Sequence, residues 1–374
     1  MAAMNRPRRS GGARAWRDAL PALRRTLAVA LAAVLPAVVA PPAAAQVDAP
    51  VRLRVVGGLG QLPQYTRHEL PFWTQELPRL SGGRARADIV AFDAAGIAGS
   101  EMLRLMQIGA VPFGTALLPL VAAHDPELGA PDLAGLNPDM ATLRRHVAAF
   151  RPYLERRLRE RWGLELLAVY TYPAQVTFCT RPFAALGDLA GRRIRTSNAT
   201  QSDLVEALGA TPVQTAFAEI VPKLRQGDIE CAITGTMSGN VIGLHEVTSH
   251  VHTMAANWGL AVFAANAVAW QALPADLREP LRAGLQRLEQ AVWADADRET
   301  GEGLACDRGD AACNGGRRGR MAVVESTPAD AQRWRDIVVA TVLPRWVQRC
   351  GARCATVWND TLAPSTAIEA PRGR

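Results

Sequence analysis

Hydrophobic and polar positions between residues 188 and 238 switch period every few residues, and the switches fall at turn residues. Arg193-Ile194-Arg195 reads as a short strand, and Thr196 to Thr200 as a polar loop able to cap the next helix. Leu204, Val205 and Leu208 have helical spacing over Gln201 to Leu208, and Gly209 stands where a helix ends. Thr211 to Phe217 is the next strand, Ala218 to Gln226 a second helix closed by Gly227, and Ile229 to Ile233 a third strand. Strands alternating with short helices predict a parallel sheet, whose ligands sit beyond the carboxyl ends of its strands. Arg195, Phe217 and Thr234 stand at such ends.

The same grammar opens the chain. Val51 to Val56 is a strand running into Gly57-Gly58-Leu59-Gly60, and Gln64 to Leu80 is helical, with Trp73, Leu77 and Leu80 on one side. Ala87 to Phe92 is a strand, Met102 to Ile108 a helix stopped by Gly109, and Val111 to Thr115 another strand. Pro63 breaks the Gly-x-Gly-x-x-Gly pattern, so the glycines predict a tight turn or backbone room beside a ligand, not a dinucleotide site. Residues 131–138 are loop-like. Met140 to Trp162 is a long helix whose arginines 151, 156, 157, 159 and 161, interleaved with Glu155 and Glu160, predict a solvated face. Leu164 to Tyr172 is a strand where the chain is expected to pass into a second domain, returning near Ala261 to Ala269. A long helix comes next, over Asp276 to about Glu302. Another covers Pro328 to Val347, with a kink or break at Pro344.

Five pieces, in order and at matching spacing, carry a family likeness: Asp188-Leu-Ala-Gly-Arg-Arg-Ile-Arg195, Ala207-Leu-Gly-Ala-Thr-Pro-Val213, Ala216-Phe-Ala-Glu-Ile220, Leu224-Arg-Gln-Gly-Asp228 and Leu273-Pro-Ala-Asp276. With them the chain resembles the periplasmic solute-binding proteins of TRAP (tripartite ATP-independent periplasmic) transporters, dicarboxylate-binding type. The likeness is strongest over residues 165–290. It implies a two-domain α/β periplasmic binding protein fold with a ligand cleft between the domains and a long helix bracing both. Domain I is expected over residues 46–170 and 261–300, domain II over 171–260 and 301–362, and a disordered tail over 363–374.

Composition changes the picture mainly at the N-terminus. The net charge of +7 invites a nucleic-acid reading, but residues 1–45 hold seven Arg and one Asp, which leaves the remainder at +1. Basic flanks at Arg24 and Arg25, an apolar run from Leu27 to Ala40 and Ala43-Ala-Ala45 before Gln46 are the order of a cleaved secretory signal. The run is short for a membrane anchor and is broken by Pro36, Pro41 and Pro42. Residues 1–45 are therefore expected to be a signal peptide and the mature protein periplasmic. Six cysteines suit an oxidising compartment. Cys306 and Cys313 bracket a short polar loop and are expected to form a bridge. Cys350 and Cys354 are close enough to pair, and Cys179 and Cys231 fit a bridge or reduced core positions equally.

The resemblance implies that Arg195 anchors a substrate carboxylate, a task that suits a guanidinium fork. Arg192 and Arg193 are expected to be surface residues. Phe217 matches an aromatic that packs on the ligand, and Thr234, Thr236 and Ser238 stand where the family often has an Asn. Gln175 occupies the place of a second Arg in sialic-acid binders, which argues against that ligand. Tyr65, Thr115 and Trp258 are further binding candidates, from their places after strands or near domain crossings. Catalytic and metal readings are thin. Gly235-Thr-Met-Ser238-Gly lacks the nucleophile-elbow spacing, and His245, His250 and His252 match no standard metal set and read as surface histidines. Asp307, Asp310 and Asn314 do not fit an EF-hand.

The expected function is capture of a small organic acid without catalysis, cofactor or metal, and delivery to the membrane subunits of a TRAP transporter. The alternatives are an exported cofactor-independent enzyme on the same scaffold and a ligand-sensing receptor for a signalling partner.

Overall fold

The first sheet has the order β2-β1-β3-β10-β4, from β1 (Val51–Gly57), β2 (Ala85–Ala91), β3 (Phe113–Leu117), β4 (Leu164–Thr171) and β10 (Leu260–Asn266). The second has the order β11-β9-β5-β8-β6-β7, from β5 (Gln175–Cys179), β6 (Arg193–Thr196), β7 (Thr211–Gln214), β8 (Cys231–Gly235), β9 (His250–His252) and β11 (Ala322–Val324). The computed structural model describes residues 49–371. The expected signal peptide lies outside the described residues.

In the first sheet β1, β2 and β3 are parallel, and β10 runs antiparallel to both β3 and β4, so β4 points the same way as β1. In the second, β6 is parallel to β7 and β8, and β5 is antiparallel to β8. Two crossings join the sheets: Tyr172 to Ala174 leads from β4 to β5, and Thr253 to Gly259 leads from β9 to β10. Each crossing starts from a carboxyl edge and enters the neighbouring sheet at the same kind of edge, so the two carboxyl edges are held near each other. The crossings are also tied together, Gln175 N donating to Asn257 O at 2.8 Å and Ala256 N to Gln175 O at 2.7 Å.

The helix Ala275–Arg308 braces this arrangement. Trp293 Nε1 donates to Val169 O of β4 at 2.8 Å, Ala174 N of the first crossing donates to Thr300 Oγ1 at 3.0 Å, and Thr236 Oγ1 donates to Glu299 O at 3.1 Å. The other long helix runs Met140–Trp162, capped by Asp139 Oδ1 on Thr142 N and ended by Gly163 at φ 63°. Its arginine face is less solvated than the sequence suggests. Arg151 forks onto Glu289 at 2.5 and 3.1 Å, and Arg157 forks onto the buried Asp125.

Prolines shape two helices. The stretch from Gln64 to Leu80 is continuous but widens to π-turns at Gln64–Glu69 and Phe72–Glu76, around Pro71. The helical run from Pro328 to Cys350 widens at Val338–Val342, just before Pro344. A wider turn relieves the clash a proline ring makes with the carbonyl four residues back, so Pro344 perturbs the helix without ending it.

Other expectations are corrected. The strand drawn to Phe217 stops at Gln214, and Phe217 opens a 3-10 turn. The tail expected to be disordered from Ala363 packs as far as Ala370: Ala363–Thr366 is a helical turn, and Ile368 and Ala370 are buried. Asn359 holds Ala370 by its amide and carbonyl, while Trp358 Nε1 donates to Ile368 O at 2.8 Å. All six cysteines are paired: Cys306 with Cys313, Cys350 with Cys354, and Cys179 with Cys231 across neighbouring strands β5 and β8.

Candidate functional site

Arg195 lies in β6, 4% exposed, with its guanidinium held edge-on by the backbone. Nε donates to Thr215 O at 3.0 Å and Nη1 to Ile233 O at 2.7 Å, whereas Nη2 makes no hydrogen bond among the described residues. Burial alone pulls its pKa down, to about 10, and no acid acts on it. It therefore remains a cation at neutral pH, buried without a counter-ion. A buried unpaired charge is costly.

Its neighbours are set by the strand ends. Thr215, which supplies one of the holding carbonyls, and Phe217 lie in the turn after β7. Phe217 is half-buried and packs against both the main core and the apolar cluster under the first sheet, the cluster that contains Tyr172. Leu59, just past β1, also touches both clusters. Thr234 is buried in β8, beside the carbonyl that holds Arg195.

Tyr65 and Thr115 gather on the opposite side, around a residue the sequence reading missed. Glu69 is fully buried, and its carboxylate accepts from Gly58 N at 2.6 Å, Thr115 Oγ1 at 2.7 Å and Gln64 Nε2 at 3.4 Å. Burial raises its pKa, against those hydrogen bonds. Burial, followed by the nearby Glu69 charge, raises the pKa of Tyr65 as well. The hydroxyl of Tyr170 is buried without a partner, and that of Tyr172 lies against the Leu59 backbone. Gly57, which ends β1, and Gly58 make room for the protein's own side chains. A β-carbon on Gly57 would fall 2.5 Å from Glu69 Oε2 and 2.7 Å from the Tyr65 ring.

The remaining candidates have their polar atoms committed within the fold. Thr236 bonds to the long helix through Glu299 O. Gln175 Oε1 accepts from Gln201 Nε2 at 2.9 Å, and the same Gln201 nitrogen donates to Asn257 Oδ1 at 2.7 Å. Trp258 Nε1 donates to Asn137 O at 3.0 Å, and Asp132 accepts from the backbone of Trp258 and, at 2.7 Å, of Gly259. Burial lifts Asp132 to about 6. Gln175 and Trp258 therefore belong to the wiring of the crossings. Only the long-range partners reveal this, Asp132 lying 127 residues from Gly259.

Two neighbouring expectations fail. Arg192 is buried, not on the surface: it stacks over Phe183 and donates to the carbonyls of Asp188, Arg181 and Pro182 at 2.9, 2.9 and 2.6 Å. His252 is also buried, against Phe183, with Nδ1 accepting from Met254 N. Among the described residues no helix is long and apolar enough to cross a membrane.

Similar solved structures share this architecture. An extracytoplasmic solute receptor of Bordetella pertussis that binds pyroglutamic acid is 21% identical, with TM-score 0.72 over 83% of this chain and 99% of that one. A marine metagenome TRAP solute-binding protein specific for pyroglutamate is 19% identical, with TM-score 0.71 over 83% and 98%. A TRAP periplasmic solute-binding protein from Desulfovibrio salexigens with bound orotic acid is 15% identical, with TM-score 0.71 over 82% and 96%. A search of curated proteins finds no match. The profile of the bacterial extracellular solute-binding proteins, family 7, matches residues 64–343, three quarters of the chain. The chain belongs to that family and is a solute receptor rather than an enzyme.

Proposed function

We propose that the protein is a periplasmic receptor that captures a small organic acid between its two sheets and delivers it to the membrane subunits of a TRAP transporter. One observation carries the reading: Arg195 is a buried cation, fixed by two carbonyls, with Nη2 unspent and no acid beside it. A carboxylate entering a closing cleft loses water, and a guanidinium replaces both the charge and the hydrogen bonds it gives up. The ligands of the similar structures, pyroglutamate and orotate, are small carboxylic acids. The apolar side of the ligand would rest on Phe217, with the Thr234 hydroxyl beside it. In this reading the described chain forms two lobes, residues 49–170 with 261–300 and residues 171–260 with 301–362, that close about the two crossings.

The test is a thermal-shift screen of organic acids followed by calorimetry of Arg195→Ala. The expected loss is on the order of 2–5 kcal/mol of binding, by analogy with buried charge pairs. Wild-type affinity in that variant would overturn the carboxylate assignment. Arg225, exposed on the surface, is the matched control.

A further inference from the structure

The strand that carries Arg195 ends at Thr196, and the helix Ala199–Ala207 follows, capped by Asn198, whose Oδ1 accepts from Gln201 N at 3.0 Å. The Gln201 side chain, in the first turn, is fully buried. A primary amide has two acceptor positions and two donor hydrogens, and here all of them are used. Oε1 accepts from Ser197 N at 2.7 Å and from Ser197 Oγ at 3.1 Å. Nε2 donates to Gln175 Oε1 at 2.9 Å and to Asn257 Oδ1 at 2.7 Å. The oxygen end therefore holds the turn just past Arg195. The nitrogen end holds both crossings, since Gln175 is the first residue after one and Asn257 lies within the other. Thr215 closes the link on the Arg195 side, its carbonyl accepting from Arg195 Nε at 3.0 Å and its N–H donating to Thr196 O at 3.1 Å.

The amide cannot turn round. Ser197 N has only a hydrogen to offer, so it must face Oε1. At the other end both oxygens of Asp132 accept backbone N–H groups, from Trp258 at 3.1 Å and from Gly259 at 2.7 Å, and Asn257 Nδ2 donates to the same carboxylate at 3.3 Å. That leaves Asn257 Oδ1 facing Gln201 as an acceptor. A buried amide that loses a partner leaves a donor or an acceptor unanswered, which costs more than the bond itself contributes. Rotation at the crossings must therefore carry Ser197 with it or break one of these buried bonds. Resting on the carboxylate reading of Arg195, we infer that Gln201 is a positioning residue for closure: its amide makes the strand end that carries Arg195 and the two crossings move as one body. An acid held on Arg195 then fixes the crossings without touching them, and Gln201 sets part of the affinity without touching the acid.

The test is hydrogen exchange on the whole mature chain, with and without the best-bound acid of a panel that includes pyroglutamate and orotate. It is read at the amides of Gln175 and Ala256, which bond across the crossings, and at Thr215 beside Arg195. In wild type the acid should slow exchange at least about 10-fold at each of these amides, by the coupling usual between linked sites. Gln201→Met keeps the length of the side chain and removes its hydrogen bonds. It should keep the protection at Thr215, lose that at Gln175 and Ala256 to below about 2-fold, and weaken acid binding about 10-fold by calorimetry. A glutamine that only stabilises its helix would lower the denaturant midpoint and leave crossing protection and affinity as in wild type, which would overturn the inference. If the variant does not fold, the wild-type comparison decides, because crossings left unprotected by the acid refute the coupling and protected ones support it. Binding that requires Arg195 but leaves the crossings unprotected ends this inference alone. Binding that survives Arg195→Ala, or no binding by any acid on the panel, ends the carboxylate reading and this inference with it.

Discussion

Two arginines three positions apart divide into different tasks because of what their guanidinium groups meet. Arg192 spends Nε, Nη1 and Nη2 on three carbonyls, whereas Arg195 spends two nitrogens and keeps Nη2. Arg192→Ala should therefore cost about 1–3 kcal/mol of stability, read by urea denaturation, because it strips buried carbonyls of their donors. Ligand affinity should hardly change. Arg195→Lys should behave in the opposite way, keeping the fold and recovering little affinity, since a point charge on a flexible stem cannot reproduce the fork. Full recovery by lysine would mean that charge alone matters at this position. The sequence marked Arg195 by its place at a strand end. Nothing local signals that Arg192 is buried, because burial there comes from Phe183 and the loop before it. Glu69 escaped notice for a related reason: its partners Gly58 and Thr115 lie 11 and 46 residues away, beyond any local pattern.

Elements were legible where their ends carry local signals. The helix Met140–Trp162 has the bounds its apolar spacing predicts, since Asp139 and Gly163 punctuate it. The strand before Phe217 was overextended, because Thr215 and Ala216 look extended locally while Thr215 is recruited to hold Arg195. Packing between elements is the least legible. Gly303 of the helix Ala275–Arg308 is an example: a β-carbon there would fall 2.6 Å from the Thr236 backbone carbon. Alanine in place of a helical glycine ordinarily gains up to about 1 kcal/mol. Here overpacking, typically about 1–3 kcal/mol, should win, because the obstacle is backbone and cannot swing away. Gly303→Ala should lower the urea midpoint, and a rise would show that the helix shifts freely against the second lobe. The cross-links rank by the loops they close. Chain entropy assigns about 2.5 kcal/mol to Cys306–Cys313 and about 4 to Cys179–Cys231, whose separation is 52 residues. Replacing each pair with serine should reproduce that order, and non-reduced peptide mapping checks the pairings themselves.

At the scale of the whole molecule, the lobes and the long helix are joined through buried carboxyls, which makes stability depend on pH in a way that can be isolated. Burial raises Glu299 and Asp307 to about 7 and Asp132 to about 6. A carboxyl whose folded pKa lies above its unfolded one binds more protons when folded, so its contribution falls as pH rises from the unfolded pKa to the folded one. His146, His245 and His252 work the other way, because burial lowers their pKa and their neutral form favours the fold as pH rises through the range near 6.5. The two groups overlap, so the total curve discriminates poorly, whereas a single isosteric substitution cancels everything it leaves alone. Asp307 is the suitable site. It is fully buried near the end of the long helix, with Oδ1 accepting from Asn240 Nδ2 at 2.8 Å and Oδ2 unpartnered. Asn240 in turn holds Arg317 by its backbone N–H and carbonyl, so this contact ties the helix to the second lobe. Asp307→Asn keeps the oxygen that Asn240 needs and removes only the titration. At pH 5 the folded wild type carries a neutral carboxyl while its unfolded chain is already ionised, so the variant should be ahead by about 1.5 kcal/mol. By pH 8 the wild type must bury a carboxylate, and the gap should have widened to on the order of 4 kcal/mol. Urea denaturation of both proteins at pH 5, 6, 7 and 8 measures the gap. A gap that stays constant, or narrows with pH, would mean that Asp307 is ionised throughout and that the joint between helix and lobe holds a charge.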